Sequence, residues 1–223
     1  MFLQKSWRSF LDLLFPVFCF GCRKEGEFCC TACRRNIYLG GTVLSGEKLD
    51  RVIVAGDFDR GLIRDLLHQF KYNGIRSLSE ILIENLPDWV ERELKNHLDS
   101  LGLWSSVSIP MHWRRKAERG FNQSDLLAQE ISKRWGLLYN SKILRKNRHT
   151  ESQMTLDREG RLINLKNAFA VGVDAREIEG KNFLLVDDVY TTGTTLEECA
   201  GVLKFHGAAS VIGLVLGKNR NGD

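Results

Sequence analysis

The run Phe183-Leu184-Leu185-Val186-Asp187-Asp188-Val189-Tyr190-Thr191-Thr192-Gly193-Thr194-Thr195 constrains this chain more than any other segment. Four consecutive apolar residues read as a strand buried on both faces, the pattern of a parallel sheet. Two carboxylates stand at its C-terminal end and a Thr/Gly loop follows. Residues 196 to 205 then continue as a helix, with Leu196, Ala200, Leu203 and Phe205 as its predicted core positions. Strand, loop and helix in this order aim backbone N–H groups and a helix N-terminus at an anion. Gly193 lets the backbone approach closely, and Thr191, Thr192, Thr194 and Thr195 add hydroxyl donors. The loop has no Lys and lacks the G-x-x-x-x-G-K-[ST] spacing, so it is not the nucleoside-triphosphate loop. Two carboxylates beside a phosphate cradle suit a sugar phosphate: the cradle takes the phosphate and the acids accept from vicinal hydroxyls. An isolated Asp or Thr-Gly would be an ordinary helix start; the ordered set carries the assignment.

The segment resembles the phosphoribosyl-pyrophosphate (PRPP) binding motif of type I phosphoribosyltransferases. The resemblance implies that Asp187 and Asp188 contact the ribose hydroxyls and that Thr191, Thr192, Gly193, Thr194 and Thr195 hold the 5′-phosphate, with magnesium accompanying PRPP.

Five of the six cysteines fall within fifteen residues: Cys19, Cys22, Cys29, Cys30 and Cys33. Cys19-x-x-Cys22 and Cys30-x-x-Cys33 make two knuckles on a short connector, the spacing of a tetrahedral four-sulfur zinc site. The Cys29-Cys30 doublet leaves the register open by one residue, and Cys30 is preferred because it completes the second knuckle. Four protein ligands leave no open position, so this zinc is expected to be structural. Cys199 stands alone on the helix after the phosphate loop, as a core thiol.

A basic region follows a strand at Ser106–Ile109, where Arg114, Arg115, Lys116 and Arg119 oppose the single acid Glu118. A basic loop there suits a pyrophosphate leaving group, because Arg forks match phosphate oxygens. The spacing does not choose among the four; a bare charge cluster is also compatible with a solvated turn. Asn122 is the predicted cap of a helix from Gln123 to Trp135. Residues 58 to 74 read as a helix with Leu62, Ile63, Leu66, Leu67 and Phe70 on its apolar face and Gly74 past its end. Residues 87 to 106 read as an inserted amphipathic helix. Further strands are expected at Val52–Ala55, Lys142–Leu144, Asn182–Val186 and Ser210–Leu216. The polar stretch from Lys142 to Asn164 reads as a mobile lid or as a surface helix.

Taken together, these features resemble the ComF proteins, phosphoribosyltransferase-like and linked to bacterial DNA uptake. The two cysteine knuckles, Lys71-Tyr72-x-Gly74, Arg119-Gly120-Phe121-Asn122-Gln123, the Thr150–Phe169 segment and the acidic PRPP loop carry the likeness. The expected fold is α/β of type I phosphoribosyltransferase kind: a mainly parallel sheet flanked by helices, with a small N-terminal cysteine zinc-ribbon module. Residues 1–45 are assigned to the zinc module and 46–223 to the phosphoribosyltransferase-like domain, with Gly40-Gly41 as the hinge.

The chain of 223 residues is 43% hydrophobic with only 3 Pro, which supports a packed core. Its formal charge of +4 is too small to argue for nucleic acid by itself. No apolar run reaches the roughly 18 residues of a membrane helix. Lys5, Arg8, Asp12 and Pro16 interrupt the apolar N-terminus, where Trp7, Phe10, Leu11, Leu14 and Phe15 form a helical face instead of a signal peptide. A cytoplasmic location is therefore expected. The resemblance implies a phosphoribosyltransferase that passes phosphoribose to a nitrogen acceptor and releases pyrophosphate. The competing expectation is a single-stranded-DNA-handling protein, in which the zinc knuckles, residues 114–119 and 142–148 and Trp113 line a groove and the PRPP site is non-catalytic or regulatory.

Overall fold

The computed structural model describes residues 16–99, 102–147 and 168–219. The N-terminal amphipathic helix and most of the polar stretch expected as a lid fall outside these residues.

The chain order is α1 (Thr31–Arg34), β1 (Thr42–Leu44), β2 (Arg51–Asp57), α2 (Ile63–Tyr72), α3 (Leu78–Glu84), α4 (Asp88–Leu98) and β3 (Trp104–Ser108). Next come α5 (Trp113–Arg119), α6 (Gln123–Trp135), β4 (Leu138–Tyr139), β5 (Leu144–Lys146), β6 (Phe169–Val171), β7 (Asn182–Tyr190), α7 (Thr194–Phe205) and β8 (Ser210–Lys218). The main sheet runs β1-β2-β8-β7-β3-β4, and only the β1–β2 pairing is antiparallel. The expected mainly parallel α/β sheet is therefore present. β5 pairs antiparallel with β6 in a separate two-stranded sheet, so the strand expected from Lys142 lies two residues later and outside the main sheet.

Alternation along β7 divides the core. Leu184 and Val186 join Ile53, Ile212 and Leu214 on one face, beneath Phe70 of α2, Leu82 of α3, Leu94 of α4 and Leu127 of α6. Phe183 and Leu185 join Val52, Val211 and Val215 on the other face, beneath Leu196, Cys199, Ala200 and Leu203 of α7. Side chains two apart share a face and neighbours oppose, so one strand feeds both cores. Burial of a large apolar side chain contributes roughly 1.5–3 kcal/mol, and both faces of β7 gain it. Phe205, expected in the core, is 87% exposed. It follows Leu203 by two residues, about 200° around the helix, and so turns to solvent.

α6 begins and ends where the sequence signals place it. The Asn122 side chain accepts from the Ser124 N–H, and Gly136 closes the helix in the left-handed conformation at φ 66°. The helix expected from residue 58 starts later, at Ile63, after a turn; Gly74 lies past its end at φ 66°. The cysteine segment packs on the same core as α2 and α3: Cys29, Ile37 and Tyr38 are interior members of it, and the Tyr38 hydroxyl donates to the Leu82 carbonyl at 3.0 Å. Among the described residues no helix is long and apolar enough to cross a membrane.

Candidate functional site

β3 ends opposite Val186, whereas β8 continues beside β7 to Tyr190. A crevice opens where β3 stops. In the crossover that follows β3, α6 lies on one face of the sheet, and α7, after β7, lies on the other. Adjacent parallel strands with crossovers to opposite faces define the switch point at which α/β sheets bind ligands. A cavity of about 1060 Å³ occupies it.

The two acids lie inside β7 rather than after it, because β8 supplies pairing partners beyond Val186. Consecutive strand residues point apart, and the acids meet different partners. Asp187 Oδ1 accepts from Ser124 Oγ on α6 at 2.8 Å and from the Asp188 N–H at 2.9 Å. Asp188 Oδ1 pairs with Lys71 Nζ of α2 at 2.8 Å, with side-chain exposures of 14% and 19%. Burial, and then the neighbouring Asp188 charge, push the Asp187 carboxyl up to about 7; the Ser124 hydroxyl, the Asp188 N–H and Lys71 only partly offset this.

That shift has a stability consequence. The native state holds a proton on Asp187 that the unfolded chain releases near pH 4. This group's contribution therefore falls as pH rises from about 4 to about 7, and at pH 8 the native state carries a costly buried charge. Asp187→Asn is expected to raise the melting temperature at pH 8 by about 3 °C or more, with little change at pH 5. Thermal scans of wild type and variant at the two pH values test this; equal shifts at both would contradict it.

The loop turns three of its five members to the cavity. Thr191, Gly193 and Thr195 line it, whereas the Thr192 and Thr194 hydroxyls bond each other at 2.8 Å. Gly193 has φ 77° and immediately precedes α7, whose Glu197 N–H donates to the Gly193 carbonyl at 3.0 Å. The first N–H groups of α7 thus open beside the acids, where an anion is favoured by both the dipole and unpaired donors.

The basic region expected as a loop is the seven-residue helix α5. Helical spacing spreads its four cations. Arg115 and Arg119 line the cavity. Arg114 lies over the Trp113 ring at 5.4 Å, and Lys116 pairs with Asp125 at 3.5 Å. Arg119 also donates to Gln123 Oε1 at 3.2 Å and covers the Tyr72 ring at 5.4 Å. Sequence reasoning missed Lys71, Ser124 and Lys146 as parts of this cavity. Lys71 and Ser124 sit in or beside motifs already singled out, but only tertiary packing shows that they reach the acids.

The second cluster lies elsewhere. The Sγ atoms of Cys19, Cys22, Cys30 and Cys33 lie within 4.8 Å of one another, with Cys22 and Cys30 at 3.6 Å. A tetrahedron with Zn–S bonds of about 2.3 Å has edges of roughly 3.8 Å, so the donor set fits that ion. The Cys30 N–H points at Cys19 Sγ at 3.4 Å. Burial opposes ionisation of Cys19, but N–H groups of Cys30, Cys22 and Gly21 outweigh it and draw the thiol down to about 6. Cys29 is fully buried in the main core and is not among the converging thiols. None of the four clustered cysteines lines the cavity at the switch point.

Comparison with known proteins agrees with this geometry. The phosphoribosyl transferase domain family matches residues 118–222, which include α6, both acids and the loop. Competence protein F of Haemophilus influenzae is 29% identical over 209 residues, covering 93% of this chain and 85% of that protein. The chain belongs to the ComF family. Within its reach, competence protein ComFC of Bacillus subtilis is 30% identical over 151 residues, 68% of this chain and 57% of that one. The DNA utilization protein YhgH of Escherichia coli K12 is 42% identical over 105 residues, 47% of this chain. That match spans 45% of YhgH, so it covers about half the length of this relative. For a ComF chain the fold is accordingly that of the type I phosphoribosyltransferases, carrying a four-cysteine cluster at its N-terminal side.

Proposed function

We propose that this ComF protein binds PRPP with magnesium and transfers its phosphoribosyl group to a nitrogen acceptor, releasing pyrophosphate. One observation carries the reading: an acid pair, a Thr/Gly loop and the start of a twelve-residue helix share a single cavity at the switch point of the sheet. Asp187 and Asp188 would accept from the ribose 2- and 3-hydroxyls and steady the positive character that develops at the anomeric carbon. The N–H groups and hydroxyls of Thr191–Thr195 would hold the 5′-phosphate. Arg115 and Arg119, which line the same cavity, would meet the departing pyrophosphate. The work of the protein is positioning and charge stabilisation.

Among the described residues the cavity offers no cluster of three metal-ligating side chains, and Lys71 already occupies one oxygen of Asp188. Magnesium therefore fits as an ion held mainly by pyrophosphate and ribose oxygens, the common mode for this cation. Its chemistry there is to neutralise the leaving group. Zinc at Cys19, Cys22, Cys30 and Cys33 would be structural.

Calorimetric titration of magnesium PRPP tests the reading. Wild type is expected to bind saturably, and Asp187→Ala/Asp188→Ala to lose affinity by at least about a hundredfold, because two charge-assisted hydrogen-bond acceptors disappear. Release of pyrophosphate in the presence of candidate nitrogen bases then separates turnover from binding alone. A folded, zinc-loaded wild type that does not bind would sink the proposal.

A second reading has one specific support. Trp113 is 66% exposed with the Arg114 guanidinium over its ring, an arrangement on which a base of single-stranded DNA stacks. The relatives' names, competence and DNA utilization, accord with it. Against it, Arg115, Arg119 and Lys146 face the space above Asp187, and the cysteine module stays outside that cavity. This weighs toward pyrophosphate. Steeply salt-dependent oligonucleotide binding lost in Trp113→Ala would reverse the weighting.

A further inference from the structure

The connection between β1 and β2, residues 45–50, has no regular structure, yet it is pinned along the length of α7. At the first turn of α7, the Glu47 N–H donates to Glu197 Oε1 at 3.0 Å and the Lys48 N–H donates to Glu197 Oε2 at 2.8 Å. Lys48 Nζ pairs with Glu198 at 3.4 Å. In the middle, the Lys48 side chain crosses Gly201, where an added Cβ would meet Lys48 Cδ at 2.7 Å. At the last turn, the Asp50 oxygens accept from Lys204 Nζ at 2.9 and 3.1 Å, and Oδ2 also accepts from Ser210 Oγ and the Val211 N–H of β8. Leu49, 3% exposed, joins the core beneath α7.

Glu197, Gly201 and Lys204 follow one another at four and three residues, so they form one stripe of the helix. The connection is a strap along that stripe. A glycine inside a helix weakens it relative to alanine; at Gly201 it lets the strap lie close. Gly46 is equally confined: its Cβ would lie 2.4 Å from Glu197 Oε1 and 2.7 Å from Leu49 Cβ.

The strap meets α7 at the end that opens on the cavity. Thr195 and Leu196 line the cavity and Glu197 does not, while the Glu197 N–H closes the first turn on the Gly193 carbonyl. An acid in the first turn of a helix is drawn to the same dipole and N–H groups as a bound anion. With one strap N–H on each oxygen, the Glu197 carboxylate is held on the strap side instead.

We propose that Glu197 is a positioning residue for the phosphate loop: its grip on the strap sets α7 so that the opening N–H groups of the helix meet the 5′-phosphate, and keeps its own carboxylate clear of them. The inference rests on the PRPP reading and adds to it a part of the chain outside the cavity. Glu197 touches no substrate; it acts through the placement of Gly193, Thr194 and Thr195.

The test uses the full chain and two probes, magnesium PRPP and ribose 5-phosphate, in calorimetric titrations well below the melting temperature. Glu197→Ala is expected to bind both at least about tenfold more weakly than wild type, because two charge-assisted hydrogen bonds that set the helix are lost. Lys204→Met frees the strap at its far end. It should melt below wild type, as Glu197→Ala does, yet bind both probes within about twofold of wild type. Amide exchange supplies a readout without ligand: residues 191–197 should exchange faster in Glu197→Ala than in Lys204→Met. Glu197→Gln keeps one acceptor and should lose about threefold, and it decides the matter if Glu197→Ala fails to fold.

Wild-type affinity in Glu197→Ala, or an equal loss in Glu197→Ala and Lys204→Met, overturns the inference and leaves PRPP binding standing. Tighter binding by Glu197→Ala would show a carboxylate that only opposes the phosphate, and overturns it as well. A wild type that binds neither probe overturns the PRPP reading and the inference with it.

Discussion

Gly193→Ala is expected to cost PRPP affinity at least about a hundredfold while leaving the sheet folded. Two effects coincide at this residue. Its φ of 77° is left-handed, a conformation that costs an alanine about 1–2 kcal/mol. Its Cβ would also lie 2.3 Å from the Tyr190 hydroxyl and 2.6 Å from the ring carbon bearing it. A tyrosine ring is stiff, and this one packs against the second core cluster, so it cannot yield without leaving the cavity wall. The backbone cannot rotate away either, because the Gly193 carbonyl accepts from Glu197 and starts α7. The strain must then be released by moving the loop, and the loop's N–H groups are the proposed phosphate contacts. Gly180→Ala provides the control. It bears the same backbone penalty at φ 68°, but nothing lies within 4 Å of its added Cβ. Gly180→Ala should bind PRPP like wild type at a slightly lower melting temperature. Calorimetry on both variants decides the matter. Binding by Gly193→Ala within threefold of wild type would mean that the loop does not hold the phosphate by its backbone.

The same region explains why the acids are asymmetric. β7 is long enough to carry both Asp187 and Asp188 within paired backbone, so their side chains cannot turn to one common partner. One is anchored to α6 through Ser124, the other to α2 through Lys71. Two helices that belong to the same core thereby fix the floor of the cavity. The arrangement is costly without a ligand, as the raised Asp187 carboxyl records, and a built-in cost of this kind is common where a site is preorganised for a charged substrate.

Much of this was legible before any coordinates. The strand, acids, loop and helix at 182–205 are local features: an apolar run, a left-handed glycine and a helix start all act within a dozen residues. Asn122 as the cap of α6 is equally local. The failures share a different cause. Whether a strand stops at Val186 or runs to Tyr190 depends on how far β8 accompanies it, which is a matter of distant pairing. Phe205 follows the apolar pattern by composition but not by angle. The basic segment became helix α5, and only helical spacing selects Arg115 and Arg119 over Arg114 and Lys116 for the cavity. Lys71 and Lys146 lie 116 and 41 residues before Asp187 and were visible as charges, yet nothing in a one-dimensional pattern brings them to the acids. The register of the cysteines had two solutions in sequence; in space, the thiols of Cys19, Cys22, Cys30 and Cys33 converge and Cys29 turns into the core.

Loss of the zinc proposed at the four cysteines is expected to destabilise the whole protein and not the knuckles alone. The cluster has no hydrophobic interior of its own. Phe20 stacks on Phe28 at 5.7 Å, and these rings pack against the core that holds α2 and α3. Cys29, Ile37 and Tyr38, from the same segment, are interior members of that core. Without an ion the four sulfurs, which lie within 4.8 Å of one another, would take up protons and lose the centre that draws them together. Binding energies of structural zinc sites reach about 10 kcal/mol or more, so removal of one ligand costs a large share of an ordinary domain's stability. Cys30→Ser should therefore purify without its zinc and melt about 10 °C or more below wild type. Cys29→Ala, one residue earlier, should keep one zinc per chain and lose only packing. Metal analysis beside thermal denaturation separates the two. Full zinc occupancy in Cys30→Ser, or zinc loss in Cys29→Ala, would place the ligand set elsewhere. A metal-free protein that melts like wild type would show that the core under α2 and α3 closes without the knuckles.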